Sequence, residues 1–490
     1  MRAARCRGHN IPIALERSLL PLGRELCLPA MMPSPRLLFL AVPLVGACDR
    51  PPPPSDSTGP DSTLEAPFTV QDSAGVEIVV NHVPQRPLGQ FWTFDPEPAF
   101  VLGEDKSNLA GEDAPGIDAQ DPSSGAIWRV RGLARLEDGR IAVLSSGNGQ
   151  LYIFEASGKL SRTIGRRGRG PGEFSRPQHL RYLPPDTLVV WDEWMGPVTY
   201  FDTAGTVLSR RTIDLGRALE ELPDEAGVES RTVPLPDGSF VVEVEFRDPD
   251  FERPPEDALV RYPPVEYVRL DEAYAAISFG SWEGRERWVV PKRLRGISPL
   301  AASLLAARDH LFSTSILDSR IAAGGRPASI YISDGGTNEI RQFSLDGTLV
   351  RIIRRTTRPV RVTERAHQAW RQNSIRVLVT VNQGGDWMPP LIEAQPRREY
   401  YPPVAGLFVD AEGYLWVKEW SDAETGLPDQ WSIFSPQGRW LGVLDGPPNP
   451  TGLPDFALCN LPCWAGRGFF VALRRDEWGV ERVEGFRIRY

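Results

Sequence analysis

Histidine and lysine are scarce in this chain, and the motifs of common enzyme chemistry are missing. The 490 residues include five histidines and only four lysines, Lys106, Lys159, Lys292 and Lys418. There is no His-x-His or HExxH spacing, no G-x-S-x-G elbow, no P-loop, and no GxGxxG between a strand and a helix. These absences exclude zincin-type proteases, α/β-hydrolases, P-loop nucleotide hydrolases and dinucleotide-binding enzymes.

Positive charge is also in short supply. The chain carries 64 acidic and 55 basic side chains, a net charge of −9. The residues before Cys48 hold six arginines and two glutamates, so without them 49 basic and 62 acidic side chains remain, a net charge of −13. Because nucleic acids are held mainly through phosphate contacts from Lys and Arg, this balance excludes nucleic acid as a partner.

What the chain does contain is a hairpin that occurs five times. In each copy a strand-like run ends in a tight Gly or Asp turn and a second run follows; a further turn and strand precede it. The hairpins are Tyr152–Gly165, Tyr200–Ile213, Tyr267–Gly280, Arg341–Arg354 and Ser432–Asp445. A four-stranded sheet of this size cannot bury both faces alone and must stack against copies of itself. The repeat therefore predicts an all-β fold, a six-bladed β-propeller of four-stranded antiparallel blades.

The sixth repeat is divided between the two ends of the chain. Gly466–Asp476 and Val480–Tyr490 supply middle strands, but no outer strand follows Tyr490. Two N-terminal segments resemble the missing part, Gln71–Val80 and Pro98–Glu104. We therefore expect an N-terminal segment to complete the last blade, which leaves no long open sheet edge.

One segment has a helical pattern. Val362–Val381 opens with a Thr-Glu cap signal and is expected to form a helix between the fourth and fifth blades. The two interpretations are packing against the outside of the ring and, less favoured, a lid over a binding face.

The stretch IGRRGRGPGEFSRPQHL (Ile164–Leu180) resembles the linker of bacterial six-bladed β-propellers related to NHL-repeat proteins. The resemblance runs from about Phe68 to Tyr490, and its most specific part is the GxxGxGPGEF pattern between Gly165 and Phe174. Later linkers have lost the glycine run. The resemblance implies an interaction scaffold, with residues 68–490 as the propeller. It also implies an alternative, since related rings can hold a divalent ion in the central channel.

A second signal lies near the front of the chain. Arg36–Cys48 has one positive charge, a short apolar core and a small-residue run that ends in cysteine. It is too short to span a bilayer, so residues 31–47 are predicted to be a secretory signal. The ending Val45–Cys48 resembles the lipobox of bacterial lipoproteins. That resemblance implies lipid attachment at Cys48 and export to the cell envelope, anchored to a membrane; an ordinary signal peptide cut nearby is the alternative.

The segments on either side of this signal fit the same picture. Residues 48–67 form the predicted lipid anchor and a polar, Pro-rich linker with the composition of an extended spacer. Residues 1–30 fit neither a signal nor a propeller strand. We expect them to be a mis-assigned or non-structural leader, with translation starting at Met31 or Met32.

Two further cysteines, Cys459 and Cys463, are spaced Cys-x3-Cys shortly before the last blade strands. In the oxidising compartment that the signal implies, they are predicted to form a local disulfide. A redox pair is the alternative, but the spacing is not Cys-x-x-Cys and no thioredoxin-like pattern surrounds it.

Two aspartates follow the strands VVW and YIS. Asp192 and Asp334 are expected to bond loop backbone at the blade rim; the alternative is that they point to a central metal ion. No catalytic residue and no cofactor is predicted, although a divalent metal stays open.

Tryptophans are the remaining indication of a site. Most are expected to be buried between blades, and a subset on one face would stack on sugars or anchor a protein. The sequence therefore favours a binding module for a protein, peptide or glycan; the alternative is a metal-dependent hydrolase or lyase.

Overall fold

The fold is seen in a computed structural model. It describes residues 66–103, 127–192, 196–212, 217, 226–246, 259–261, 264–284, 287–289, 320–381, 388–393, 397, 399–420, 430–447, 463–475 and 480–490. The predictions on residues 1–65, including the signal and Cys48, lie outside this part of the chain, as does Cys459.

Four short strands come first in the compact unit Leu64–Tyr490. They are β1 (Phe68–Ser73), β2 (Val76–Asn81), β3 (Thr93–Phe94) and β4 (Phe100–Leu102).

Six antiparallel blades follow, each built around a run of strands that pair in chain order. Blade 1 comprises β5 (Val130–Arg135), β6 (Ile141–Ser145), β7 (Gln150–Phe154) and β8 (Leu160–Ile164). Blade 2 comprises β9 (Pro177–Leu183), β10 (Thr187–Asp192), β11 (Val198–Asp202) and β12 (Val207–Arg211). Blade 3 comprises β13 (Ala226–Pro234), β14 (Phe240–Phe246), β16 (Pro264–Leu270) and β17 (Ala276–Glu283), with a side hairpin of β15 (Leu259–Arg261) and β18 (Arg287–Val289).

The second half of the ring repeats the pattern. Blade 4 comprises β19 (Arg320–Gly324), β20 (Ser329–Ser333), β21 (Glu339–Ser344) and β22 (Leu349–Arg355). Blade 5 comprises β23 (Gly406–Val409), β24 (Leu415–Lys418), β25 (Gln430–Phe434) and β26 (Trp440–Asp445). Blade 6 comprises β27 (Cys463–Gly466), β28 (Phe469–Arg475) and β29 (Glu481–Arg489). The predicted six-bladed β-propeller is confirmed.

The hydrophobic core lies between the blades. Each blade is covered on both faces by its neighbours, so its middle strands are apolar throughout; β10, for example, buries every residue from Leu188 to Trp191. Apolar clusters join blade 1 to 2, 2 to 3, 3 to 4, 4 to 5, 5 to 6 and 6 to 1. The ring is therefore closed by packing at every joint.

Of the two N-terminal segments, one completes the last blade. Strand β4 pairs antiparallel with β29, with Phe100 opposite Gly485 and Leu102 opposite Val483. The other segment forms the β1–β2 hairpin, and β2 runs parallel to β22 at the outer edge of blade 4. The expected closure by an N-terminal segment is confirmed, and Pro98–Glu104 contains the strand that makes it.

The predicted helix is also present, as α1 (Glu364–Val381), followed by α2 (Met388–Glu393). Thr363 caps α1, since its Oγ1 accepts the Ala366 amide at 3.1 Å. Within the described residues, no helix is both long and apolar enough to cross a membrane.

Candidate ligand-binding site at the channel mouth

The innermost strand of each blade lines the central channel of the ring. These strands are β5, β9, β13, β19, β23 and β27, and neighbouring ones contact each other, for example β5 with β9 and β19 with β23. Each inner strand is followed by the turn into the second strand of its blade, so all six begin at the same end of the ring. We call that end of the channel, at blades 1 and 2, the channel mouth; its residues are Trp128, Arg129, Arg131, Gln178 and His179.

The inner strands of blades 1 and 2 are bulged where they enter this mouth. On β5, Val130 pairs with Ser145 and Gly132 with Leu144, which leaves Arg131 as an extra residue. On β9 the register shifts in the same place and leaves Gln178 as the extra residue. A β-bulge redirects a side chain and is common beside functional sites. Both bulges fall on polar residues at the channel mouth.

The residues just before β5 have unusual backbone and exposure. Arg129 has φ +52°, a conformation uncommon for a non-glycine residue. Its guanidinium carbon lies 4.8 Å from the ring centroid of Trp128, which is 43% exposed. Stacking of this kind restricts the guanidinium to one orientation over the indole.

The backbone of the loop between β6 and β7 holds Trp128 and Arg129 in place. The Ser146 and Gly147 amides donate to the carbonyls of Arg129 and Trp128, both at 3.0 Å. A Cβ on Gly147 would lie only 2.6 Å from Trp128 Cε3, so glycine allows the indole to rest on the loop. Arg167 Nη2 donates to the Gly147 carbonyl at 2.8 Å. The exposed indole is therefore built into a defined loop arrangement.

His179 is half-buried on β9, in the same region as Arg131. Burial, and then the nearby Arg131 guanidinium, lower the pKa of His179 to about 4. The imidazole is thus neutral at pH 7 and can donate one N–H and accept one hydrogen bond. Further along β9, burial lowers the pKa of Arg181 to about 10, with Asp237 opposing the shift. Arg181 Nη1 donates to the Pro234 carbonyl at 2.6 Å.

Three of these polar side chains have no hydrogen-bond or ion-pair partner in the described part of the chain: Arg129, Arg131 and His179. Elsewhere arginines are commonly paired, as Arg269 is with Asp237 at 2.7 Å and Arg351 with Glu77 at 3.0 Å. In a chain with an excess of acid, two unpaired arginines two residues apart form a local positive site.

The two aspartates singled out from the sequence bond loop backbone. Both carboxylate oxygens of Asp192 accept amides of the preceding linker, from Ser175 at 3.1 Å and Arg176 at 3.2 Å. Asp334 Oδ1 accepts the amides of Gly336 and Thr337 at 3.0 and 2.9 Å. These contacts agree with the rim interpretation. Among the described residues, no three His, Cys, Asp or Glu side chains are grouped closely enough to hold a metal ion.

Of the predicted site cysteines, Cys463 begins β27 and packs, partly buried, against the cluster between blades 5 and 6. Its predicted disulfide to Cys459 stays a prediction, as does lipid attachment at Cys48.

Several of the tryptophans are interblade residues, as expected. Trp191, Trp416 and Trp431 are at most 2% exposed. Trp464, on the inner strand of blade 6, packs against two clusters, the one between blades 6 and 1 and the one between blades 1 and 2. It thus contacts the cores of two interblade joints from the inner side of the ring. Trp128 is the exposed tryptophan of the described residues, and we did not single it out from the sequence.

Residues 129–216 match a protein-family model, DUF5128, described as a 6-bladed beta-propeller. This match spans the bulged strands and the GxxGxGPGEF linker, so the resemblance to six-bladed β-propellers is confirmed. No curated protein matches the chain in sequence.

Solved structures show likeness of the same kind. A Bacteroides fragilis protein described as exported has 12% identity and a TM-score of 0.37, covering 84% of this chain and 99% of its own. A duf4221 family member from Bacteroides vulgatus has 8% identity and a TM-score of 0.40, covering 81% and 98%. The calcium-binding protein regucalcin from Agrobacterium tumefaciens has 10% identity and a TM-score of 0.32, covering 74% and 91%. At these scores the likenesses carry no argument about this chain. The chain is a six-bladed β-propeller.

Sequence reasoning missed the residues at the channel mouth for a definite reason. In residues Arg129–Leu133, charged side chains alternate with apolar or small ones, as in an ordinary strand. Nothing in this local pattern marks the bulge. The signal that could have been used is the pair of arginines at the start of β5, Arg129 and Arg131, in a chain with a net negative charge.

Proposed function

We propose that this chain is an exported, membrane-anchored β-propeller that acts as a binding module for a protein, peptide or glycan. The observation that carries the proposal is the exposed Trp128 indole with Arg129 stacked on it at the channel mouth. Exposed Trp and Arg side chains held by a rigid scaffold are the residues that most often dominate binding energy. Here the rigid scaffold is the closed ring.

The proposal of export and anchoring rests on the sequence N-terminal to the propeller. The apolar run before Cys48 and its small-residue ending favour a lipoprotein signal, and the Pro-rich residues that follow would hold the ring away from the membrane surface. A ligand would then be met outside the cytoplasm.

The experiment is a binding screen of the purified protein against glycans, peptides and envelope proteins, followed by Trp128→Ala. We expect loss of at least about tenfold in affinity for the ligand found, since truncation of a central aromatic costs about 2 kcal/mol or more. Tyr400→Ala is the matched control. Tyr400 is 37% exposed and also carries a stacked arginine, Arg361 at 5.3 Å, but that arginine is paired with Glu399 at 3.6 Å.

Two results would contradict the proposal. One is the absence of any ligand in all three classes; the other is a ligand whose affinity Trp128→Ala leaves unchanged while Tyr400→Ala weakens it.

The alternative, a hydrolase or lyase with a divalent ion in the channel, has a simple test of its own. Its ion would need oxygen ligands, whereas Arg131 beside His179 would repel a cation. We expect thermal melting to be the same with chelator and with added Ca²⁺, Mg²⁺, Mn²⁺ or Zn²⁺. A rise in melting temperature with one of these ions would favour the alternative, since a ligand of the native state stabilises it.

A further inference from the structure

The channel mouth holds positive charge that the described protein does not neutralise. Arg129 and Arg131 are two residues apart and neither has a carboxylate partner within the described residues. An anion bound to either guanidinium would form charge-assisted hydrogen bonds that the described protein does not supply. The chain as a whole is acidic, so this cluster is not the product of a generally basic surface.

The backbone conformation places these side chains at some energetic cost. Arg129 adopts φ +52°, and Arg131 is the extra residue of a bulge. A non-glycine residue in the left-handed region costs roughly 1–2 kcal/mol, and such strain is concentrated at binding and catalytic sites. The bulge is not required of an inner strand, since on β19 the pairing runs without one.

A third group comes from the next blade. The residues that follow Arg131 and His179 along their strands are in close contact, since a Cβ on Gly132 would lie 2.4 Å from Leu180 Cβ. His179 thus lies beside Arg131, whose guanidinium lowers the pKa of the imidazole. His179 has no hydrogen-bond partner among the residues described. As a neutral imidazole it offers an N–H donor to an anion without adding a third positive charge. Two guanidinium groups and one N–H donor at the start of adjacent inner strands suit a carboxylate, because Arg binds carboxylates in a planar, two-point geometry.

The neighbouring indole narrows the ligand class. Beyond the parts covered by Arg129 and the Gly147 loop, Trp128 exposes 43% of its surface, and a sugar ring can contact this apolar surface. A uronic acid carries a carboxylate directly on its pyranose ring. Its ring and carboxylate are therefore close together, as are the Trp128 indole and the Arg129 guanidinium, which lie 4.8 Å apart. Long, densely charged polyanions are disfavoured by the net charge of −9.

Building on the proposed binding function, we propose that Arg129, Arg131 and His179 form a carboxylate-binding subsite, beside Trp128, that takes a uronic acid residue of an acidic glycan. The protein supplies binding only; no bond is made or broken.

The test is isothermal titration of the purified full chain with a galacturonic acid tetramer. Its methyl ester, which lacks the charge, and a short peptide with a free C-terminal carboxylate are titrated alongside. We expect the acid to bind, and the ester and the peptide to bind at least about tenfold more weakly. Arg129→Gln and Arg131→Gln should each weaken binding of the acid by about tenfold or more, because a charge-assisted hydrogen bond is lost. Arg361→Gln, which removes the arginine stacked on Tyr400, should have no effect. Melting temperatures of all variants show whether they are folded.

Any other outcome would overturn the proposal of this subsite. The subsite is wrong if acid and ester bind equally, if the peptide binds in preference to the acid, or if folded Arg131→Gln binds the acid like the parent protein. These results are distinct from failure of the proposed function. A different ligand that depends on Trp128 but not on Arg129 or Arg131 would remove the subsite and keep the binding module.

Discussion

A buried carboxyl in blade 5 makes stability depend on pH in an unusual direction. Asp410 occupies the turn between β23 and β24 and is 7% exposed. The same hydrogen-bonded turn holds Leu136 in blade 1 and Leu235 in blade 3, each 1% exposed. In place of an apolar side chain, Asp410 accepts the Trp416 indole N–H and the Tyr414 amide, both at 2.8 Å.

Burial raises the pKa of Asp410 from 3.8 to about 7, although its hydrogen bonds favour the charged form. Between these two values the folded protein keeps the proton and the unfolded chain does not. Asp410 therefore contributes stability that is complete below pH 4 and is lost as the pH rises through 7. A shift of this size corresponds to about 4 kcal/mol in all, of which about 3 kcal/mol falls between pH 4.5 and 8.

Replacing Asp410 by Asn removes this titration and leaves a constant cost of about 1–3 kcal/mol, because the amide cannot accept both hydrogen bonds. The unit Leu64–Tyr490 should unfold with an entropy of about 0.9 kcal/mol/K, so 3 kcal/mol corresponds to roughly 3–4 °C. The melting temperature of the parent protein minus that of Asp410→Asn should accordingly fall by this amount between pH 4.5 and 8.

The assay is differential scanning calorimetry of both proteins across that range. Asp138→Asn is the control: Asp138 lies in the corresponding turn of blade 1, and its hydrogen bonds with Arg140 outweigh desolvation and lower its pKa. The melting temperature of the parent protein minus that of Asp138→Asn should not fall as the pH rises. A constant difference between the parent and Asp410→Asn would refute the argument that burial outweighs the hydrogen bonds.

The remaining predictions concern the channel, the closure and the anchor. By NMR, the pKa of His179 should lie near 4 and should rise in Arg131→Gln, while staying below 6.5 because burial is the larger cause; an unchanged value would place Arg131 away from the imidazole. Gly485→Ala should lower the melting temperature by about 1–3 °C, since a Cβ there would lie 2.1 Å from Phe100 Cζ and overpacking costs about 1–3 kcal/mol; Gly336→Ala, which meets open space, should be neutral, and equal effects would argue against closure by β4. Replacing Cys48 by Ser should abolish metabolic lipid labelling, and labelling that persists would contradict the anchor.

The repeat could be read from the sequence because its causes are short-range. A glycine at φ +92° in the turn at Gly139 and the apolar run Leu188–Trp191 act within a few residues of themselves. The same holds for the cap of α1 by Thr363. Turn chemistry and strand pattern, repeated along the chain, therefore determine blades, and blades of this size determine a ring.

The channel mouth depends on residues that are far apart in sequence. Phe100 and Gly485 meet across almost the whole chain, and both candidate N-terminal segments had suitable strand patterns; only the packing of Phe100 against Gly485 distinguishes them. Arg131 and His179 come together because two neighbouring blades are bulged at the same point, and a bulge has no local signature. Local propensity thus determined the ring. The packing of neighbouring blades decided that Arg131 and His179, which are far apart in sequence, lie beside each other.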